Sequence, residues 1–216
     1  MKIKAIGFDF DGTLVMSESK KTKAMVEVFS EEFGINKGVK SAYQKLRGKN
    51  REEKVKSLFK KFLKRNPTKK ELKKVANHFG KHYQQEMKVC PLFECTNVIK
   101  ELKTQVKFLF LLTLEEKKEV KKIVKKCGLL KHFDEVLGGP KSKIDNFKHV
   151  IKKHQLKPSE VIYIGDSTSD IIASKKMKVK IVLVNQKFNY HKLKKSLQPN
   201  FVFSSICDLP KKIEDF

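Results

Sequence analysis

Six short runs of nearly unbroken apolar residues constrain this chain most. They are "IKAIGFDF" (3–10), "VKFLFLLT" (106–113), "FDEVLGG" (133–139), "VIYIGDS" (161–167), "VKIVLVN" (179–185) and "FVFSS" (201–205). They are rich in Val, Ile and Phe and lack the in-out alternation of a half-exposed strand, so they suit strands buried on both faces. Most are separated by stretches with helical period. The pattern predicts an α/β fold with a Rossmann-like parallel sheet covered by helices. A chain of 216 residues holds one full core and a modest second domain.

The first two runs lie about ninety residues apart, far more than one crossover helix requires. In between, Met25, Val28, Phe29 and Phe33 share a helical face, as do Val55, Leu58, Phe59, Phe62 and Leu63, and Leu72, Val75, Ala76, Phe79 and Tyr83. No strand signal interrupts them. The expected organisation is a core of residues 1–16 and 89–216 with an all-helical domain of residues 17–88 inserted after the first strand, its exits near Ser17 and Pro91 acting as hinges.

The formal charge of +25 arises from 49 Lys and Arg against 24 Asp and Glu, mostly as lysine doublets spread along the chain. Such a field favours anions. Without aromatic or arginine interleaving, the doublets read as solvated helix faces, and no specific nucleic acid is expected. Cys90, Cys95, Cys127 and Cys207 form no CxxC pair and have no histidine at zinc-finger spacing, so they read as reduced thiols. The apolar start is broken by Asp9 after a few residues, too short for a signal segment or membrane span, which leads to the expectation of a cytoplasmic protein with no membrane partner, monomeric or weakly self-associating.

In open α/β sheets, ligands bind at the carboxyl ends of the strands. Here the first run ends in "GFDFDGT" (7–13) with Asp9 and Asp11, the second in Thr113, the third runs into "GGPKSK" with Lys141 and Lys143, and the fourth ends in "GDSTSD" with Asp166 and Asp170. Two carboxylates about 5 Å apart repel by roughly 3 kcal/mol at an effective dielectric near 20. Four of them in one crevice make sense with a lysine and a divalent cation built in, and an all-oxygen donor set favours Mg2+.

The order and separation of "DFDGT", Thr113, the lysine of "GGPKSK" and "GDSTSD" resemble the four motifs of the haloacid dehalogenase-like (HAD) hydrolase superfamily, in its phosphoglycolate phosphatase-like and β-phosphoglucomutase-like branch. The helical insertion resembles that superfamily's cap. The resemblance implies that Asp9 is a nucleophile forming an aspartyl-phosphate, and that Asp11 protonates the leaving alcohol and later activates water. Gly12 permits the turn and Thr13 fixes it. Thr113 would donate a hydrogen bond to the phosphoryl group, and Lys143, preferred over Lys141 because it stands just before a helical run, would neutralise that group and Asp9. Asp9, the Asp11 carbonyl and Asp166 would hold Mg2+, with Asp170 on a metal-bound water or on the lysine. Relatives that cleave alkyl halides lack the second acid, so Asp11 argues for phosphoryl transfer. After Thr113 the chain reads "LEEKK", where many relatives carry a small polar residue.

The implied activity is a Mg2+-dependent phosphatase acting on a small phosphorylated metabolite. A phosphomutase of the β-phosphoglucomutase type is the alternative, and a non-catalytic nucleic-acid binder a further one. In "LRGKNREEK" (46–54), Arg47 and Lys49 resemble the cap residues that reach the substrate's distal group, while Asn50 and Glu53 mark a helix start. His78 and His82, four apart without a third ligand, read as surface positions.

Overall fold

The computed structural model describes residues 2–184, 189–213 and 216. Along the chain, β1 (Ala5–Phe8) precedes α1 (Glu18–Phe33), α2 (Val39–Gln44), α3 (Arg51–Phe62), α4 (Lys69–Glu86) and α5 (Val98–Gln105). Then come β2 (Phe108–Glu116), α6 (Lys117–Lys126), β3 (Glu135–Gly139), α7 (Lys143–Lys153), β4 (Val161–Gly165), α8 (Thr168–Lys176), β5 (Lys180–Leu183), β6 (Phe201–Val202) and the short α9 (Leu209–Lys212). Asn185, the last residue of the fifth apolar run, lies outside the described residues. The chain divides into two compact units, Met1–Met16 with Leu92–Phe216, and Ser17–Pro91.

The first unit is the α/β core. Its six strands run in the order β3-β2-β1-β4-β5-β6, and every neighbouring pair is parallel. The order reverses at β1, which lies between β2 and β4, and in such sheets a crevice opens at the carboxyl ends of the strands where the winding reverses. Phe110, Leu112, Phe147, Val150, Tyr163 and Ile171 share one buried cluster, which seats α7 and α8 on the sheet. Burial of each such side chain contributes roughly 1.5–3 kcal/mol, which is why unbroken apolar runs locate the strands so well.

Two expectations need correction. The second strand does not stop at Thr113 but continues to Glu116, with a register slip between Leu112, opposite Leu137, and Glu116, opposite Gly139. The polar residues after Thr113 hid the extension, and Gly138 accommodates it: a Cβ there would lie 2.4 Å from the Glu115 carbonyl oxygen. The cysteines are not reduced. Cys95 and Cys207, separated by 112 residues, form a disulfide with Cα atoms 5.2 Å apart, and neither Cys90 nor Cys127 is a free thiol. Spacing along the chain could not reveal a pairing that only the fold creates. Among the described residues no helix is long and apolar enough to cross a membrane.

The second unit is all-helical. Phe29, Phe33 and Phe59 meet with ring centroids 5.0 to 5.9 Å apart, which gathers the apolar faces of α1 and α3. Capping boxes start α3 and α4: Asn50 Oδ1 accepts from the Glu53 amide while Glu53 accepts from the Asn50 amide, and Thr68 and Glu71 repeat the exchange. His78 and His82 pair with Glu32 and Glu31.

Candidate active site

The loop after β1 is short and internally bonded. The Asp9 amide donates to the Ile164 carbonyl of β4 at 2.8 Å, fixing the strand end, and the Leu14 and Val15 amides turn back to the Phe10 carbonyl. Gly12 has φ +87°, a left-handed conformation that side chains disfavour, and a Cβ there would lie 2.1 Å from Asp166 Oδ2. The glycine therefore makes the turn and also makes room for Asp166. Thr13 is fully buried in the same loop.

Asp9, Lys143, Asp166 and Asp170 are buried together. Lys143, the first residue of α7, donates from Nζ to Asp9 Oδ1 at 2.8 Å and to Asp170 Oδ1 at 2.5 Å. Asp170 is in turn held by Ser167, whose amide and hydroxyl both donate to Oδ2, at 3.0 and 2.5 Å. Thr113 Oγ1 donates to Asp11 Oδ2 at 3.3 Å. The structure thus brings Lys143 to Asp9, whereas Lys141 is exposed. Arg47 and Lys49 belong to the helical unit, in the turn between α2 and α3, Arg47 half-buried and Lys49 exposed.

Burial raises the pKa of Asp9 well above 3.8; Lys143 opposes that shift, and Asp170, Asp166 and Asp11 add to it. Burial opposes the charge on Lys143, but Asp170 and Asp9 outweigh it and the lysine pKa rises. Burial, then the charges of Asp170 and Asp9, push the Tyr163 phenol well above 10.0, so its hydroxyl keeps its proton.

Carboxylate oxygens of Asp9, Asp166 and Asp170 all lie within 4.8 Å of one another. One ammonium among three such groups leaves negative charge in excess, and the donors are all oxygen. This set fits a hard divalent cation of the Mg2+ type. Two contributors escaped the sequence reading. Tyr163 lay hidden inside an apolar run, its only signal a hydroxyl among aliphatic neighbours, and Ser167 gave no sign that it would hold Asp170.

A model of the haloacid dehalogenase-like hydrolase family matches residues 6–184. A phosphoglycolate phosphatase of Vibrio parahaemolyticus is 32% identical over 104 residues, 46% of this chain and 46% of that protein. The chain spans about half the length of the Vibrio relatives it matches. A phosphoglycolate phosphatase of Haemophilus influenzae is 25% identical over 220 residues, covering 96% of this chain and 97% of that protein. Among solved structures, a predicted phosphoglycolate phosphatase of Haemophilus somnus superposes with a TM-score of 0.82 at 24% identity, covering 98% of both chains. With the family model matched from β1 through β5 and a sheet and site of this form, the chain belongs to the haloacid dehalogenase-like hydrolases.

Proposed function

We propose that this protein is a Mg2+-dependent phosphatase that hydrolyses a small phosphomonoester through an aspartyl-phosphate on Asp9. The observation that carries the reading is the buried Lys143 ammonium joining Asp9 to Asp170 beside Asp166. An Asp9 carboxylate oxygen forms the new bond to phosphorus as the bond to the leaving alcohol breaks. Asp11 gives that alcohol its proton, then takes one from the water that splits the aspartyl-phosphate. The contact between Thr113 and Asp11 supports this role, because a hydroxyl at 3.3 Å orients the acid. Lys143 balances the charge gathering on the phosphoryl oxygens and on Asp9. Asp9, Asp166 and the Asp11 carbonyl would hold Mg2+, with Asp170 serving the lysine; when bound, the ion supplies charge neutralisation for the transferred group.

The names of the relatives support a small carboxylate-bearing substrate such as phosphoglycolate, and Arg47 and Lys49 are assigned to its distal carboxylate. The test is a panel of phosphorylated metabolites, assayed with Mg2+ and with EDTA. Small anionic phosphomonoesters should turn over, with activity lost to EDTA and restored by Mg2+. No turnover across the panel, or full activity in EDTA, overturns the reading.

A further inference from the structure

Tyr163 occupies an unusual place in the sheet. Its register partner in β1 is Gly7, whose partner in β2 is Phe110. A Cβ on Gly7 would lie 2.8 Å from Tyr163 Cδ2 and 2.3 Å from Phe110 Cζ. The missing side chain therefore lets both rings lie over β1. Phe147 of α7 meets the tyrosine ring edge-on at 4.9 Å, so the helix that carries Lys143 also fixes the ring. From this position the Tyr163 hydroxyl reaches across β1 and donates to the Leu112 carbonyl of β2 at 2.8 Å. Its single proton has that carbonyl and, beside it, the Asp170 carboxylate as acceptors, and its lone pairs remain for a donor.

That donor is Lys143, whose Nζ lies 3.4 Å from the hydroxyl. An ammonium has three N–H groups. Here the three acceptors are Asp9, Asp170 and Tyr163. Asp9 loses its charge when one of its oxygens is phosphorylated, so Asp170 and Tyr163 are the contacts of the lysine that keep their form through the reaction. Leu112 immediately precedes Thr113, so the hydroxyl also ties the lysine to the strand that carries the threonine.

We infer that Tyr163 is a positioning residue for the proposed phosphoryl transfer, fixing the Lys143 ammonium through its hydroxyl and referencing it to the Leu112 carbonyl. The inference rests on the phosphatase reading, and the two fail separately. Loss of wild-type turnover in Asp9→Asn upholds the reading whatever Tyr163 does.

The test is Tyr163→Phe, which keeps the ring and removes one oxygen, in a double-mutant cycle with Lys143→Ala. With p-nitrophenyl phosphate, kcat should fall about tenfold, the factor expected for losing a hydrogen bond to a charged group, while KM stays within about twofold. In single-turnover assays on the Lys143→Ala background, Tyr163→Phe should change the rate by less than about twofold, because its effect passes through the lysine. A merely structural role would give the same factor in both backgrounds, and that result overturns the inference. So does a single variant with kcat within about twofold of the parent. If Tyr163→Phe does not fold, Tyr163→Leu, which also removes the hydroxyl, takes its place in the same cycle under the same criteria.

Discussion

Replacing Lys143 with methionine, close to it in length but uncharged, leaves Asp9 and Asp170 buried without their shared cation. The contacts of 2.8 and 2.5 Å are worth about 6 and about 7 kcal/mol of gross attraction at an effective dielectric near 20. Desolvation of the ammonium and repulsion between the two carboxylates offset most of that, and breaking a buried pair from one side leaves a net loss of about 3–5 kcal/mol. The loss should depend on pH. Burial already holds the folded pKa of Asp9 above 3.8, and removing Lys143, which lowers it, raises it further. A carboxyl that binds its proton more tightly when folded loses stability as pH climbs from its unfolded pKa through its folded one. Urea unfolding of Lys143→Met in EDTA should therefore show the full deficit near pH 7.5 and a smaller one near pH 5. Adding Asp170→Asn should restore part of it. A variant within about 1 kcal/mol of the parent at both pH values would refute the assignment of Lys143 as the charge that holds the cluster together.

Gly12→Ala forces a side chain into a left-handed turn and against Asp166, with a loss of about 1–2 kcal/mol in stability. It should raise the Mg2+ concentration for half-maximal activity; an unchanged metal requirement would remove Asp166 from the proposed ligands. Cys95→Ser with Cys207→Ser opens a loop spanning 112 residues and should reduce stability by about 5 kcal/mol on the chain-entropy account. Denaturant midpoints compared with and without reductant check this, and a parent protein indifferent to reductant would refute it.

Most of the core was legible because unbroken apolar runs and the order of polar residues at their ends are local signals. Asp9, Lys143 and Asp166 stand immediately beyond a strand or at the first turn of a helix, where the sequence itself announces a strand end or a helix start. Asn50 and Glu53 were readable for the same reason, as a capping box that spans four consecutive residues. Features made by chain segments far apart were not. The pairing of Cys95 with Cys207 exists only after the core closes. Tyr163 looked like one more apolar residue, since its hydroxyl acquires meaning only from Gly7 on the neighbouring strand and Lys143 on a packed helix. The continuation of β2 through Glu115 and Glu116 contradicts their polarity, and the space at Gly138 that permits it lies on another strand.

The central claim is that Asp9 carries the phosphoryl group, and trapping that intermediate tests it most directly. Acid quenching during turnover, followed by peptide mass spectrometry, should find one phosphoryl group on Asp9 within the "AIGFDFDGT" segment. Asp9→Asn should fold, carry no label and lose at least roughly a thousandfold in activity, about 4 kcal/mol of transition-state stabilisation. Turnover that proceeds with the label on another residue, or an Asp9→Asn enzyme within about tenfold of the parent, would contradict the account.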